Sequence, residues 1–300
     1  MQKYKLLEKK INDGEFLILD GGVGTELEKR GVGMDSKAWC GLGAINSFKI
    51  LKDIHLDYIN SGAEIITANT FASNRLSLKG AGFADMFYEV NSKAIEAAKS
   101  AIAESKKNVF LAGSLSHFVP DFNDETKAPK IQETQEAFDE MADLLRHEKC
   151  DFILLEMMYH PVRTQIAFNA ALKAGLPIWA GFSARRGKNG EILNYYAHED
   201  IPLEYHLRIL ERNDVQAAGI MHTSSDIIEE SVNILKEVFN GPIFVYPDSG
   251  YFSYPNWIFE KVISTDKFKD FSSLWKKQGV QVIGGCCGLS PKHIETLSKI

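Results

Sequence analysis

Eight short apolar runs recur along the chain, at 16–19, 65–68, 109–112, 152–155, 178–180, 217–221, 243–246 and 280–283. None alternates cleanly between apolar and polar residues. Each therefore reads as a strand buried on both faces, the pattern of a parallel sheet. The segments between the runs carry helical period. Leu51, Ile54 and Tyr58 share a face ahead of Gly62, and Phe138, Met141 and Leu145 share another. Pro161 sits where a first helical turn tolerates it, and Gly175 where a helix stops. Eight strands alternating with helices across 300 residues predict an α/β fold, a single (β/α)8 barrel spanning 1–300. The rival is a doubly wound open sheet, but no Gly-x-Gly-x-x-Gly follows the first run and eight strands favour closure. No linker, repeat or low-complexity tract divides the chain.

A parallel barrel builds its active site at the C-terminal ends of its strands. The least regular stretches, 31–44, 117–130, 184–200 and 247–257, each follow a strand and so fall at that end. Long loops there predict a covered pocket. The residues at the strand ends form a convergent polar set: Asp20-Gly21-Gly22-Val23-Gly24-Thr25, Asn69-Thr70-Phe71, Gly113-Ser114, Glu156, Met221-His222, Asp248-Ser249-Gly250 and Gly284-Gly285-Cys286-Cys287-Gly288. Asp20 and Glu156 follow apolar strands directly, where solvation explains them poorly. The structural alternative is that they cap helices or pair with Arg75 or Arg185.

Adjacent cysteines on a strand point to opposite faces. They can grip one ion only where the strand ends and the backbone bends, and Gly284, Gly285 and Gly288 supply that freedom. Cys286 and Cys287 thus read as two thiolate ligands for a soft or borderline ion such as Zn²⁺, the remaining ligand coming from elsewhere in the chain. Two buried thiols or a strained vicinal disulfide are the alternatives. The four cysteines, at 40, 150, 286 and 287, do not make the spaced framework of a secreted disulfide protein.

A net charge of -6 and a pI near 5.8 give no surplus of positive charge for nucleic acid or an anionic membrane. The first ten residues lack the apolar core of a signal peptide, and no run reaches the ~18 apolar residues of a membrane span. A cytoplasmic protein with small-molecule partners is expected, and oligomerisation is compatible with the sequence.

Asp20-Gly-Gly-x-Gly-Thr-x-Leu-Glu, Asn69-Thr-Phe, Leu155-Glu156 and above all Gly284-Gly-Cys-Cys-Gly-x-x-Pro-x-His-Ile294 resemble the homocysteine S-methyltransferase family, across essentially the whole chain. The resemblance implies a (β/α)8 barrel with zinc held by three cysteines, one after strand six and two after strand eight. The metal activates the thiol of homocysteine toward a methyl donor, giving methionine. It also implies that Asp20, Gly21 and Glu156 hold the amino acid's backbone groups. Trp39, Thr70 and Ser114 complete the expected substrate-binding set.

One departure matters. Where the family pattern is Gly-x-Asn-Cys, this chain reads Gly219-Ile220-Met221-His222. Imidazole is an ordinary zinc ligand, so the expected set becomes His222, Cys286 and Cys287, with His117 and His160 as substitutes for the histidine. Two thiolates and a neutral imidazole on Zn²⁺ sum to zero charge, whereas three thiolates leave a net negative charge. An onium donor suits aromatic faces, and Trp39, Phe71, Tyr246, Tyr251, Phe252 and Trp257 lie in or beside the loops at the correct end. S-methylmethionine, S-adenosylmethionine, glycine betaine and dimethylsulfoniopropionate are the candidate donors. A cobalamin- or folate-dependent reaction is less expected, because one barrel consumes the length. The competing readings are a zinc barrel with a changed acceptor or donor, and a metal-containing binding protein without turnover.

Overall fold

The computed structural model describes residues 2–119 and 124–300, so part of the expected 117–130 loop lies outside the described residues. Eight parallel strands form the core: β1 (Leu17–Ile18), β2 (Ile65–Thr67), β3 (Phe110–Ser116), β4 (Phe152–Met158), β5 (Ile178–Phe182), β6 (Ala217–Ser224), β7 (Ile243–Asp248) and β8 (Val282–Ile283). Each overlaps one of the eight apolar runs. The strands pair in chain order, and β8 returns to β1 through Leu17↔Val282 and Ile18↔Ile283. Between β1 and β2 the ring is closed by the single parallel bridge Leu19↔Ile65, flanked by Glu64 N–H donating to the Ile18 carbonyl at 2.8 Å. The fold is a (β/α)8 barrel.

The lack of alternation in the strands has a direct cause in the packing. Leu17, Leu19, Phe110, Phe152, Trp179 and Phe244 fill the barrel interior, while their neighbours Ile18, Leu111, Ile153, Ala180 and Val245 face the helices. Both faces are dry. Inside, Trp179 stacks on Phe244 with centroids 5.4 Å apart.

The helix Gln2–Asn12 precedes β1 and was not foreseen from the sequence, where this stretch reads as charged. Its Tyr4, Leu7 and Ile11 repeat at helical spacing and join the interior cluster, and Trp179 Nε1 donates to Tyr4 Oη at 3.0 Å. This amphipathic helix plugs one end of the barrel. The expected helix punctuation is present: Pro161 opens the helix Pro161–Ala174, and Gly175 ends it at a φ of 74°. Among the described residues no helix is long and apolar enough to cross a membrane.

Two short antiparallel hairpins stand on the loops after β5 and β7, pairing Ala184–Arg186 with Ile192–Asn194 and Tyr251–Ser253 with Asn256–Ile258. The second reaches across to the segment that follows β1. Trp257 N–H donates to both carboxylate oxygens of Glu28, at 3.0 and 3.1 Å, and Tyr254 Oη donates to the Ser36 carbonyl. These hairpins make the cover that the irregular stretches implied.

Candidate active site and metal centre

Because β1 and β8 are neighbours, their glycine-rich turns interlock. Gly285 N–H donates to the Asp20 carbonyl at 2.9 Å, and Gly22 N–H donates to the Leu289 carbonyl at 3.2 Å. A Cβ on Gly22 would stand 2.5 Å from the Cys286 carbonyl oxygen, so only glycine permits this approach. On its other side, the cysteine turn is tied to the end of β7 by Cys286 N–H donating to the Pro247 carbonyl at 2.7 Å. Held from both flanks, the backbone bends and brings the two free thiols onto one side, with their sulfurs 3.9 Å apart.

The third donor comes from a break in the regularity of β6. Its pairing with β7 shifts register between Met221 and Ser224, and His222 takes a left-handed φ of 43°. Its imidazole is thereby aimed at the thiols, Nδ1 lying 3.4 Å from Cys286 Sγ. The donor atoms of His222, Cys286 and Cys287 all fall within 4.8 Å of one another. Tetrahedral zinc with Zn–S of ~2.3 Å and Zn–N of ~2.0 Å requires S···S of about 3.8 Å and S···N of about 3.5 Å. The Cys286–Cys287 spacing of 3.9 Å and the His222–Cys286 spacing of 3.4 Å lie close to that requirement.

The electrostatics fit a cation as well. The contact with Cys287, together with burial, pushes the Cys286 thiol well above its ordinary range, and the His222 imidazole opposes that shift without overcoming it. Burial alone would lower the His222 pKa, but Asp248 and Cys286 outweigh it and bring it up to about 9. A divalent ion would relieve the conflict between the thiols.

Two buried acids face the same cavity. Asp20 accepts the Thr67 N–H at 2.8 Å and the Thr67 Oγ1–H at 3.1 Å, from the neighbouring strand. Glu156 accepts from the Ser114 hydroxyl and from Tyr246 Oη, the latter at 3.2 Å. Burial raises both carboxyls above the usual range, and Glu156 adds to the effect at Asp20. Neither acid caps a helix or pairs with arginine, since Arg75 holds Glu140 at 2.6 Å and Arg185 holds Asp200 at 2.7 Å. The cavity measures about 170 Å³, and its wall includes Asp20, Gly21, Glu156, His222, Cys286 and Cys287. No lysine or arginine lines it among the described residues.

A cysteine pair beyond β8, a donor near the end of β6, an acid beyond β1 and another near the end of β4 share one cavity, and the family model for homocysteine S-methyltransferases matches residues 17–300. The chain belongs to the homocysteine S-methyltransferase family. It is 24% identical to homocysteine S-methyltransferase 2 of Arabidopsis thaliana, over 95% of this chain and 93% of that one. It is also 24% identical to selenocysteine Se-methyltransferase of Brassica oleracea var. italica, over 99% and 92%. The metallated form of the homocysteine methyltransferase MmuM from Escherichia coli shares the fold, with a TM-score of 0.78 at 20% identity, over 98% of this chain and 99% of that one.

Within this member of the homocysteine S-methyltransferase family, the residues expected at the site divide into wall and support. Trp39 lies in the wall with Asp20, Gly21 and Glu156. Thr70 and Ser114 stand one layer behind it: Ser114 donates to Glu156, and Thr70 Oγ1 donates to the Ser114 carbonyl at 2.7 Å. Phe71, Tyr246, Phe252 and Trp257 line the cavity as expected, whereas Tyr251 is exposed and lies outside the lining. His117 reaches the wall, but its Nε2 accepts the N–H groups of Tyr159 and His160, and His160 caps the helix that follows it. Neither joins the donor trio.

Three aromatic residues of the wall, Phe118, Tyr159 and Tyr195, were not singled out from the sequence. Tyr195 meets the His222 ring edge-on with centroids 5.5 Å apart, and Tyr159 lies 5.5 Å from Tyr195. The signal for Tyr195 was its place in the irregular 184–200 stretch, but nothing in the sequence says which way that loop turns. Met221, at the position of the family asparagine, turns its sulfur to accept from Met157 N–H at 3.1 Å and Ser183 Oγ–H at 3.3 Å.

Proposed function

We propose that the protein is a zinc-dependent S-methyltransferase, moving a methyl group from an onium donor to the thiol of homocysteine and giving methionine. One observation carries this reading: a soft-donor trio and two buried acids share one cavity that no lysine or arginine lines among the described residues. An amino-acid thiol answers both demands in one molecule, sulfur toward the trio and ammonium toward the acids.

A zinc ion held by His222, Cys286 and Cys287 would supply the Lewis acidity that keeps an acceptor thiol, of ordinary pKa ~8.5, deprotonated near neutral pH. Glu156, held by Ser114 and Tyr246, and Asp20, held by Thr67, are fixed in advance and receive the ammonium. Gly21 lets the turn after β1 seat against the Leu289 carbonyl and the Tyr58 ring, where a Cβ would stand 2.5 and 2.6 Å away, and so holds its backbone at the cavity wall. The cationic donor rests against aromatic faces such as Trp39, Phe71 and Trp257, each contact contributing about 0.5 to 2 kcal/mol. The hairpin latched to Glu28 keeps water from the methyl group. As the acceptor sulfur bonds to the methyl carbon, the donor's C–S or C–N bond breaks and its electron pair stays on the leaving heteroatom. No general acid is required.

The test is a screen of S-methylmethionine, S-adenosylmethionine, glycine betaine and dimethylsulfoniopropionate with homocysteine, following methionine. Turnover with one of them supports the reading, and methylation of another thiol by a donor that leaves homocysteine untouched removes homocysteine as the acceptor. Met221-His222 in place of Asn-Cys favours one second reading, a changed acceptor. Relatives at similar identity carry the names of selenocysteine methyltransferases, so selenocysteine belongs in the same screen.

A further inference from the structure

Asp248 ends β7 behind the donor trio, and nothing in the chemistry above uses it. Its Oδ2 lies 3.7 Å from His222 Nε2, while His222 Nδ1 faces Cys286 Sγ at 3.4 Å. The two ring nitrogens therefore look in opposite directions, one toward the thiols and the other toward the acid. The Asp248 side chain is only 16% exposed, and His222 is its one basic partner among the described residues. The register shift that turns His222 inward resumes with Ser224 opposite Asp248 itself. A single irregularity thus aims the imidazole and sets the carboxylate behind it. A left-handed backbone at a non-glycine residue persists where the surroundings over-determine it, and here they hold the ring between thiol and acid.

Resting on the reading of a metal at His222, Cys286 and Cys287, we infer that Asp248 is a positioning residue for the histidine ligand. It accepts the Nε2–H, fixes the tautomer that leaves Nδ1 free for the ion, and returns the negative charge lost when imidazole stands where a thiolate is expected. Ligating histidines commonly hold such a carboxylate on their second nitrogen, which orients the ring and raises its basicity. The present spacing is roughly half an ångström beyond hydrogen-bond range, within reach of a small carboxylate rotation. Zn²⁺, two thiolates and a neutral imidazole sum to zero. Adding Asp248 gives the net charge of the three-thiolate centre.

The test is zinc affinity, measured by competition with a chromophoric chelator, together with nitrogen-resolved NMR of histidine-labelled zinc protein. Wild type should hold one zinc per chain, with Nδ1 of His222 metallated and the proton on Nε2. Asp248→Asn should weaken zinc binding roughly 10- to 100-fold while the metal-free protein stays folded, with partial rescue by Asp248→Glu. In a His222→Cys background there is no imidazole to orient, so Asp248→Asn should leave affinity unchanged or tighten it. Equal losses in both backgrounds, no loss in wild type, or a metallated Nε2 overturns the role of Asp248. A wild type that holds no zinc overturns the metal reading instead. If Asp248→Asn does not fold, the tautomer in the wild-type protein decides alone.

Discussion

His222 changes the charge of the candidate centre more than any other residue departing from the family pattern. Replacing a thiolate by imidazole lowers the pKa of a bound thiol, and nucleophilicity falls with it, by about 3-fold per pKa unit. His222→Cys should therefore retain zinc, raise the apparent pKa of the bound acceptor and speed transfer from a good donor by a few-fold. Single-turnover rates against pH, with zinc content measured on both proteins, check this; the same rate and the same pKa would remove His222 from the ligand set. Glu156→Gln takes away a carboxylate whose burial disfavours its charge, and acceptor affinity should fall by at least about 100-fold. An unchanged dissociation constant would make Glu156 a structural acid. Outside the site, both ring nitrogens of His55 are buried without a partner among the described residues, and burial lowers its pKa to about 3. The depressed value means the unfolded chain takes up the proton first, so stability is full above about pH 6.5 and drains away as pH falls toward 3. Urea unfolding of metal-free protein should show His55→Leu keeping about 2 kcal/mol more of its near-neutral stability at about pH 5 than wild type does. Equal pH slopes in the two proteins would contradict this. At this scale the sequence pointed to groups at or just past the end of an apolar run, Asp20, Glu156, Cys286 and Cys287, and all four line the cavity. It could not reveal Tyr195, or that Asp248 stands behind His222, because those contacts depend on loop direction and on a register shift that no local pattern encodes.

Among the elements, the interlocked turns after β1 and β8 decide whether the thiols face one another. Gly22 is the contact point, and a methyl group there would collide with the Cys286 carbonyl and with Thr25 Oγ1. Gly22→Ala should fold but bind zinc at least about 10-fold more weakly, since the cysteine turn must retreat. Chelator competition checks it, and undiminished affinity would show the turn to be compliant. The spacing of the glycines was visible in the sequence; the reason for them was not, because it lies in the adjacency of the first and last strands. The helix Gln2–Asn12 shows the opposite limit. Tyr4, Leu7 and Ile11 make an apolar stripe among lysines and glutamates, too narrow to stand out until the open end of the barrel supplies its partner.

For the whole molecule, the architecture was legible because a parallel barrel buries both faces of every strand, leaving eight continuous apolar runs that an antiparallel sheet would not produce. The barrel places every strand end on one rim, so residues as distant in sequence as Asp20, Glu156, His222 and Cys286 become neighbours. The cover was legible only as irregularity, and its latch between Trp257 and Glu28 was not legible at all. The central claim is that this rim holds zinc with a position open to the sulfur of the acceptor. X-ray absorption at the zinc edge tests it most directly, since Zn–S near ~2.3 Å and Zn–N near ~2.0 Å are distinguishable. The resting protein should show two sulfurs and one imidazole nitrogen beside a light-atom ligand, and homocysteine should raise the sulfur count to three. A count that stays at two with homocysteine bound, or a folded protein that takes up no zinc, would contradict the account.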